Sequence, residues 1–76
     1  MNKDRRAKLS RAIDILESAR DIVEDVKTDE ESALDNMPEN LEGSDRYSSM
    51  EDAIDNLDSA LDSISDAIDD IEEAKS

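Results

Sequence analysis

The residues of this chain with the most capacity for chemistry are carboxylates. Asp52, Asp55 and Asp58, and again Asp62, Asp66 and Asp69, recur at three- and four-residue steps, which would gather them along one side of a helix. Such spacing can hold Mg²⁺ for phosphate chemistry. Here the carboxylates fall away from the apolar residues, no basic residue accompanies them to hold a phosphate, and 76 residues leave little chain for a pocket. The chain has no histidine and no cysteine. That removes the commonest general base, thiolate chemistry, disulfides, ordinary zinc ligands and the Glu-x-x-His motif of di-iron bundles. Asp35 to Asp45 lacks the order of acids and glycine that makes a calcium-binding EF-hand loop. The expectation is a protein that is not an enzyme and takes no metal or cofactor.

The remaining chemistry is recognition by charge. Twenty-three acidic residues stand against nine basic ones, a net charge of −14, which repels nucleic acid and anionic lipid and steers basic protein surfaces toward the chain. Residues 48 to 76 hold ten acids and one lysine, and Asp outnumbers Glu there. Asp is the poorer helix former, and its short stem keeps the charge close to the helix wall. Asp58, Asp62 and Asp66 would rise by about 6 Å per step, comparable with phosphate separation along a nucleic-acid strand. This is the pattern expected of a DNA mimic, with Asp55, Asp58, Asp62, Asp66 and Asp69 as the contacts for a basic partner. The competing reading is a solvated acidic face, because any acidic amphipathic helix places carboxylates at these intervals.

Those carboxylates need helices to carry them, and the apolar residues supply the period. From residue 50 to 74 three heptad columns run without a skip: Met50, Leu57, Ile64 and Ile71; Ala53, Ala60, Ala67 and Ala74; Ile54, Leu61 and Ile68. Ser48-Ser49-Met50-Glu51 reads as a capping box. A helix is expected over about 49 to 74. The first half repeats the arrangement with Leu9, Leu16 and Val23 in one column, Ala12, Ala19, Val26 and Ala33 in the next, and Ile13, Ile15 and Ile22 beside them. It predicts a helix over about 3 to 36, with Thr28-Asp29-Glu30-Glu31 resembling a fresh N-cap that admits a kink near residue 28.

Between the helices, a connection over about 37 to 48 holds the only proline, Pro38, and the only glycine, Gly43. One loop in the middle implies an antiparallel hairpin, and alanine at every seventh position lets the helices approach closely. Charge agrees with that topology. Lys3, Arg5, Arg6, Lys8 and Arg11 at the start of helix one would lie beside Asp66, Asp69, Asp70, Glu72 and Glu73 at the end of helix two. The fold class expected is all-α, one domain, an alanine-lined helical hairpin.

Two apolar columns suffice to join two helices, so Ile54, Leu61 and Ile68, with Ile15 and Ile22 as their counterparts on helix one, form a candidate stripe for a homodimer or another partner. Pairing two hairpins would make a four-helix bundle. A chain this small buries only about 60% of its unfolded surface, which favours self-association. No stretch approaches a transmembrane length, and no apolar run follows the basic N-terminal residues, so neither membrane contact nor a signal peptide is expected and a cytoplasmic location is.

Asp35-Asn36-Met37-Pro38-Glu39-Asn40-Leu41, then Ser44-Asp45-Arg46-Tyr47, then Met50 to Ile54 and the Ala/Leu/Ile repeat resemble small acidic helical-hairpin proteins of phages and prophages of Gram-positive bacteria. The resemblance covers most of the chain and rests mainly on the loop. It implies a phage-encoded context, in which small acidic proteins inhibit host defence nucleases or restriction systems by occupying their nucleic-acid clefts. Two other expectations stand beside inhibition: a dimeric structural or adaptor hairpin, and an antitoxin-like binder of one basic protein.

Overall fold

Asn2 stands before the first helix in an extended conformation, and its side-chain carbonyl accepts from the backbone N–H of Arg5 at 2.8 Å. This satisfies one of the donors that a helix start leaves open. From there the computed structural model, which describes residues 1–76, is α-helical through α1 (Lys3–Asp35) without interruption. The break admitted near Thr28 does not occur. No proline or glycine lies within α1 to remove a backbone donor or loosen the chain, so the helical ladder passes through Thr28-Asp29-Glu30-Glu31.

The exit of α1 follows from Pro38. Asn36 N–H still donates to the Ser32 carbonyl and Met37 N–H to the Leu34 carbonyl, each at 3.1 Å. Pro38 has no N–H to continue the ladder and disfavours helical backbone in the residue before it. Its carbonyl accepts from Leu41 at 2.9 Å and opens a single 3-10 turn, Glu39–Leu41. Gly43 has a backbone angle open to any residue and empty space where a side chain would sit, so its composition is not what turns the chain.

The second helix, α2 (Asp45–Lys75), begins four residues before the expected boundary at Ser49. Ser44 is its cap, accepting through Oγ from Tyr47 N–H at 3.2 Å, and Ser48 and Ser49 lie inside the first turns. The capping box expected at Ser48 and Glu51 is therefore not formed, and the connection is shorter than 37 to 48. The reason is local chemistry: Ser44 has a side chain as competent as Ser48, and Asp45 in the first turn favours the positive end of the helix dipole. Ser44→Ala is expected to cost about 1 kcal/mol in urea unfolding, while Ser48→Ala stays within about 0.5 kcal/mol. The reverse order would put the cap at Ser48 after all.

The helices pack antiparallel as a hairpin, a rod with principal-axis extents of 59 × 15 × 13 Å. Two cross-helix contacts set one register. Lys75 Nζ donates to Ser10 Oγ at 3.0 Å, and Lys27 forms an ion pair with Asp58. Seventeen residues separate Ser10 from Lys27 and seventeen separate Asp58 from Lys75, so both helices advance in step. At the open end Arg6 Nε donates to the Lys75 carbonyl at 3.1 Å, which satisfies one acceptor of the α2 terminus. The basic and acidic end clusters do adjoin, yet no ion pair joins them: the two in the molecule are Lys27 with Asp58 and Arg20 with Glu17.

The seam is thin. Only Ile13 and Ile68 are buried, at 5% and 8% exposure. On α2 all three columns turn toward α1, with Met50, Ala53, Ile54, Leu57, Ala60, Leu61, Ile64, Ala67 and Ile71 half-buried around Ile68. On α1 the central column of Leu9, Leu16 and Val23 is half-buried, but its companion changes along the helix. Ala12 and Ala19 flank it near the N-terminus. Farther on, Val26 and Ala33 are exposed, and Lys27, Glu30 and Leu34 are half-buried instead. Alanine lining thus holds on α2 through Ala67 and on the first half of α1 only. A two-helix seam accommodates about two columns, and a Lys that lays its stem along apolar surface while its ammonium reaches an acid competes well with alanine.

The Lys27 ammonium is held above its ordinary value of 10.5 first by the hydrogen bond to Asp58, which outweighs the opposing effect of burial, and then by attraction to Asp58, Glu31 and Glu24. The folded chain therefore binds this proton more tightly than the unfolded one. Its contribution is complete below the ordinary lysine range and is lost as pH rises through the raised value. Lys27→Met keeps the stem and removes the charge. The stability difference between the two proteins should shrink toward zero between about pH 9 and pH 12, as other lysines titrate equally in both. A difference constant across that range would assign the loss to packing.

Candidate interaction surfaces

Because α2 spends its three apolar columns on the seam, its opposite side is obliged to carry the polar residues. Asp55, Asp58, Asp62, Asp66 and Asp69 are all exposed there and run along about 21 Å of helix. Asp58 differs from the others. It sits near enough the seam for Lys27 to reach across, while its side chain stays 59% exposed. Asp55, Asp62, Asp66 and Asp69 have no cationic partner. Of the 23 acids in the chain only Asp58 and Glu17 lie within ion-pair distance of a base, so the negative field of the rod is almost wholly uncompensated.

The expected apolar stripe divides. Ile54 and Leu61 are half-buried and Ile68 is buried in the hairpin itself, so the α2 column is not spare surface. Ile15 and Ile22, expected as its counterparts, are 59% and 65% exposed on α1 and lie outside the seam. The physical cause is the breadth of the apolar arc on α1. One neighbouring helix covers Leu9, Ile13, Leu16 and Val23, and Ile15 and Ile22 project about 110° farther round. Val26, 49% exposed, joins them on that face. Its column with Ala12 and Ala19 predicts a place in the seam, whereas its four-residue step from Ile22 points to the outer face that it occupies.

The rod has no pocket, no grouping of carboxylates close enough to chelate a cation, and no helix long and apolar enough to cross a membrane. No family model matches the chain, and no curated protein or solved structure is significantly similar to it.

Proposed function

We propose that this is a non-enzymatic, cytoplasmic interaction protein whose α2 acidic face occupies a basic protein cleft that otherwise holds nucleic acid, as a phage-type inhibitor of a host nucleic-acid enzyme would. The observation that carries this reading is the uncompensated row Asp55, Asp62, Asp66 and Asp69, exposed along one straight helix wall. Fixed charges on a rigid rod attract a basic cleft at long range and lose little freedom on docking. The experiment is capture of a host protein by the immobilised chain, followed by challenge with duplex DNA and with salt, beside the Asp62, Asp66 and Asp69 to Asn triple variant. Release by DNA and failure of the triple variant to capture support mimicry. A captured protein that keeps its nucleic acid and binds the triple variant equally well overturns it.

A self-associating hairpin, two copies forming a four-helix bundle, is the second element of the proposal. Two buried residues in 76 make a slight core, and Ile15, Ile22 and Val26 are left in water.

A further inference from the structure

A row on α1 beside the seam has an internal symmetry. Read along the helix it runs Arg11, Ile15, Ala19, Ile22, Val26, Glu30, with steps of four, four, three, four and four residues; Arg11, Ile15, Ile22 and Val26 are exposed, and Ala19 and Glu30 are half-buried at the border with the seam. These steps keep the row on one side of the helix. They also read the same from either end. A point midway between Ala19 and Ile22 relates Ile15 to Val26, and it relates Arg11 to Glu30. The apolar centre is therefore closed at the N-terminal side by a cation and at the C-terminal side by an anion.

We propose that a second copy of this chain covers this face, α1 against α1 in antiparallel orientation, about a two-fold axis at the Ala19–Ile22 midpoint. The inference rests on the self-association reading and specifies its interface. A two-fold contact must be self-complementary, each residue meeting the residue related to it through the axis. In this register Ile15 of each copy meets Val26 of the other, Ala19 meets Ile22 and leaves room for the larger side chain, and Arg11 meets Glu30 at both ends. Neither Arg11 nor Glu30 has an ion partner within its own chain. More widely, the basic start of α1, with Lys3, Arg5, Arg6 and Lys8, would lie along the other copy's Glu31 and Asp35, so the charge imbalance along α1 is matched only when the two copies run in opposite directions. A parallel pairing would set Arg11 against Arg11 and Glu30 against Glu30. The interface uses α1 alone and leaves the Asp wall of α2 uncovered.

The test is charge exchange, read by sedimentation equilibrium of the full chain with circular dichroism to follow helicity. The wild type is expected to dimerise. Arg11→Glu and Glu30→Arg should each weaken the dimer by more than about tenfold, since each places two like-charge pairs in one interface. The double variant R11E/E30R should recover wild-type dimerisation, and so should an equimolar mixture of the two single variants. Ile22→Ser should give monomer with unchanged helicity, because Ile22 lies outside the hairpin seam. A dimer indifferent to all four variants would leave self-association standing and overturn this interface. Failure of the double variant to recover, with both single variants weakened, would overturn the antiparallel register. A wild-type monomer at about 100 μM, where even a weak interface with a micromolar Kd would be filled, would overturn the interface and self-association together.

Discussion

Replacing Ile68 by Ala, or Ile13 by Ala, is expected to cost about 2 to 4 kcal/mol of hairpin stability, and in a protein this small either change should leave the chain largely unfolded at 37 °C. These are the only two side chains removed from water on all sides. They lie toward the open end of the rod, where the register set by Ser10 and Lys75 brings the start of α1 against the end of α2. Removing three carbons from either forfeits the transfer of those atoms from water and leaves a void that a two-helix seam has few neighbours to fill. Ile22→Ala supplies the contrast. Ile22 is 65% exposed in the hairpin, so its truncation should change stability extrapolated to infinite dilution by no more than about 0.5 kcal/mol. Urea unfolding followed by circular dichroism at several protein concentrations measures all three. Equal losses at the three positions would mean that the hairpin rotation described above, with Ile13 inward and Ile22 outward, is wrong.

The second large effect concerns the acidic wall. Changing Asp62, Asp66 and Asp69 together to Asn removes three charges while preserving shape, and Asn and Asp have similar helix propensity. Helicity should be unchanged. Stability should rise slightly, because like charges three and four residues apart on one helix oppose folding. Affinity for a basic cleft should fall about a hundredfold, counting about 1 kcal/mol for each charge pair lost at a partly desolvated contact. The same loss should be approached in the wild type by raising ionic strength several-fold, since exposed charges are screened over about 8 Å at physiological salt. Asp58 is kept out of this set because of Lys27: its replacement would break the one cross-helix ion pair and confound a binding loss with a folding loss. A triple variant that binds as tightly as the wild type in low and high salt would remove the acidic wall from the interface and leave the apolar face of α1 as the contact.

A second copy on α1 and a basic cleft on α2 do not compete for surface. Ile15, Ile22 and Val26 point away from the helix that carries the Asp row, and a dimer would present two such rows. Both surfaces have one origin. A hairpin has a single seam, so every other face of its two helices is available, and this chain fills those faces with residues of unlike character.

Much of this was legible in the residues alone. Heptad columns from Met50 to Ala74 require a helix whatever the chain around them does, because apolar residues at that period share one side only in helical backbone. Pro38 requires that helix one end near it, since it can neither donate to the ladder nor let the preceding residue stay helical. One such interruption between two long amphipathic helices leaves antiparallel packing as the short route to burial, and the outward position of Asp55, Asp58, Asp62, Asp66 and Asp69 follows from the apolar columns being inward.

Tertiary structure alone decided the rotation and register of the helices. Periodicity gives the angle between columns on one helix, but not which column faces the neighbour when the apolar arc is wider than a single neighbour can cover. On α1 that arc runs from Ile13 round to Ile15 and Ile22, and only packing against α2 shows Ile13 inside and Ile15 and Ile22 in water. The Lys27–Asp58 pair depends on register, a relation between residues distant in the chain that no local spacing encodes. The start of α2 is a local matter. Ser44, Ser48 and Ser49 can each cap a helix by their own chemistry, and the structure shows Ser44 in that role, with Asp45 in the first turn after it.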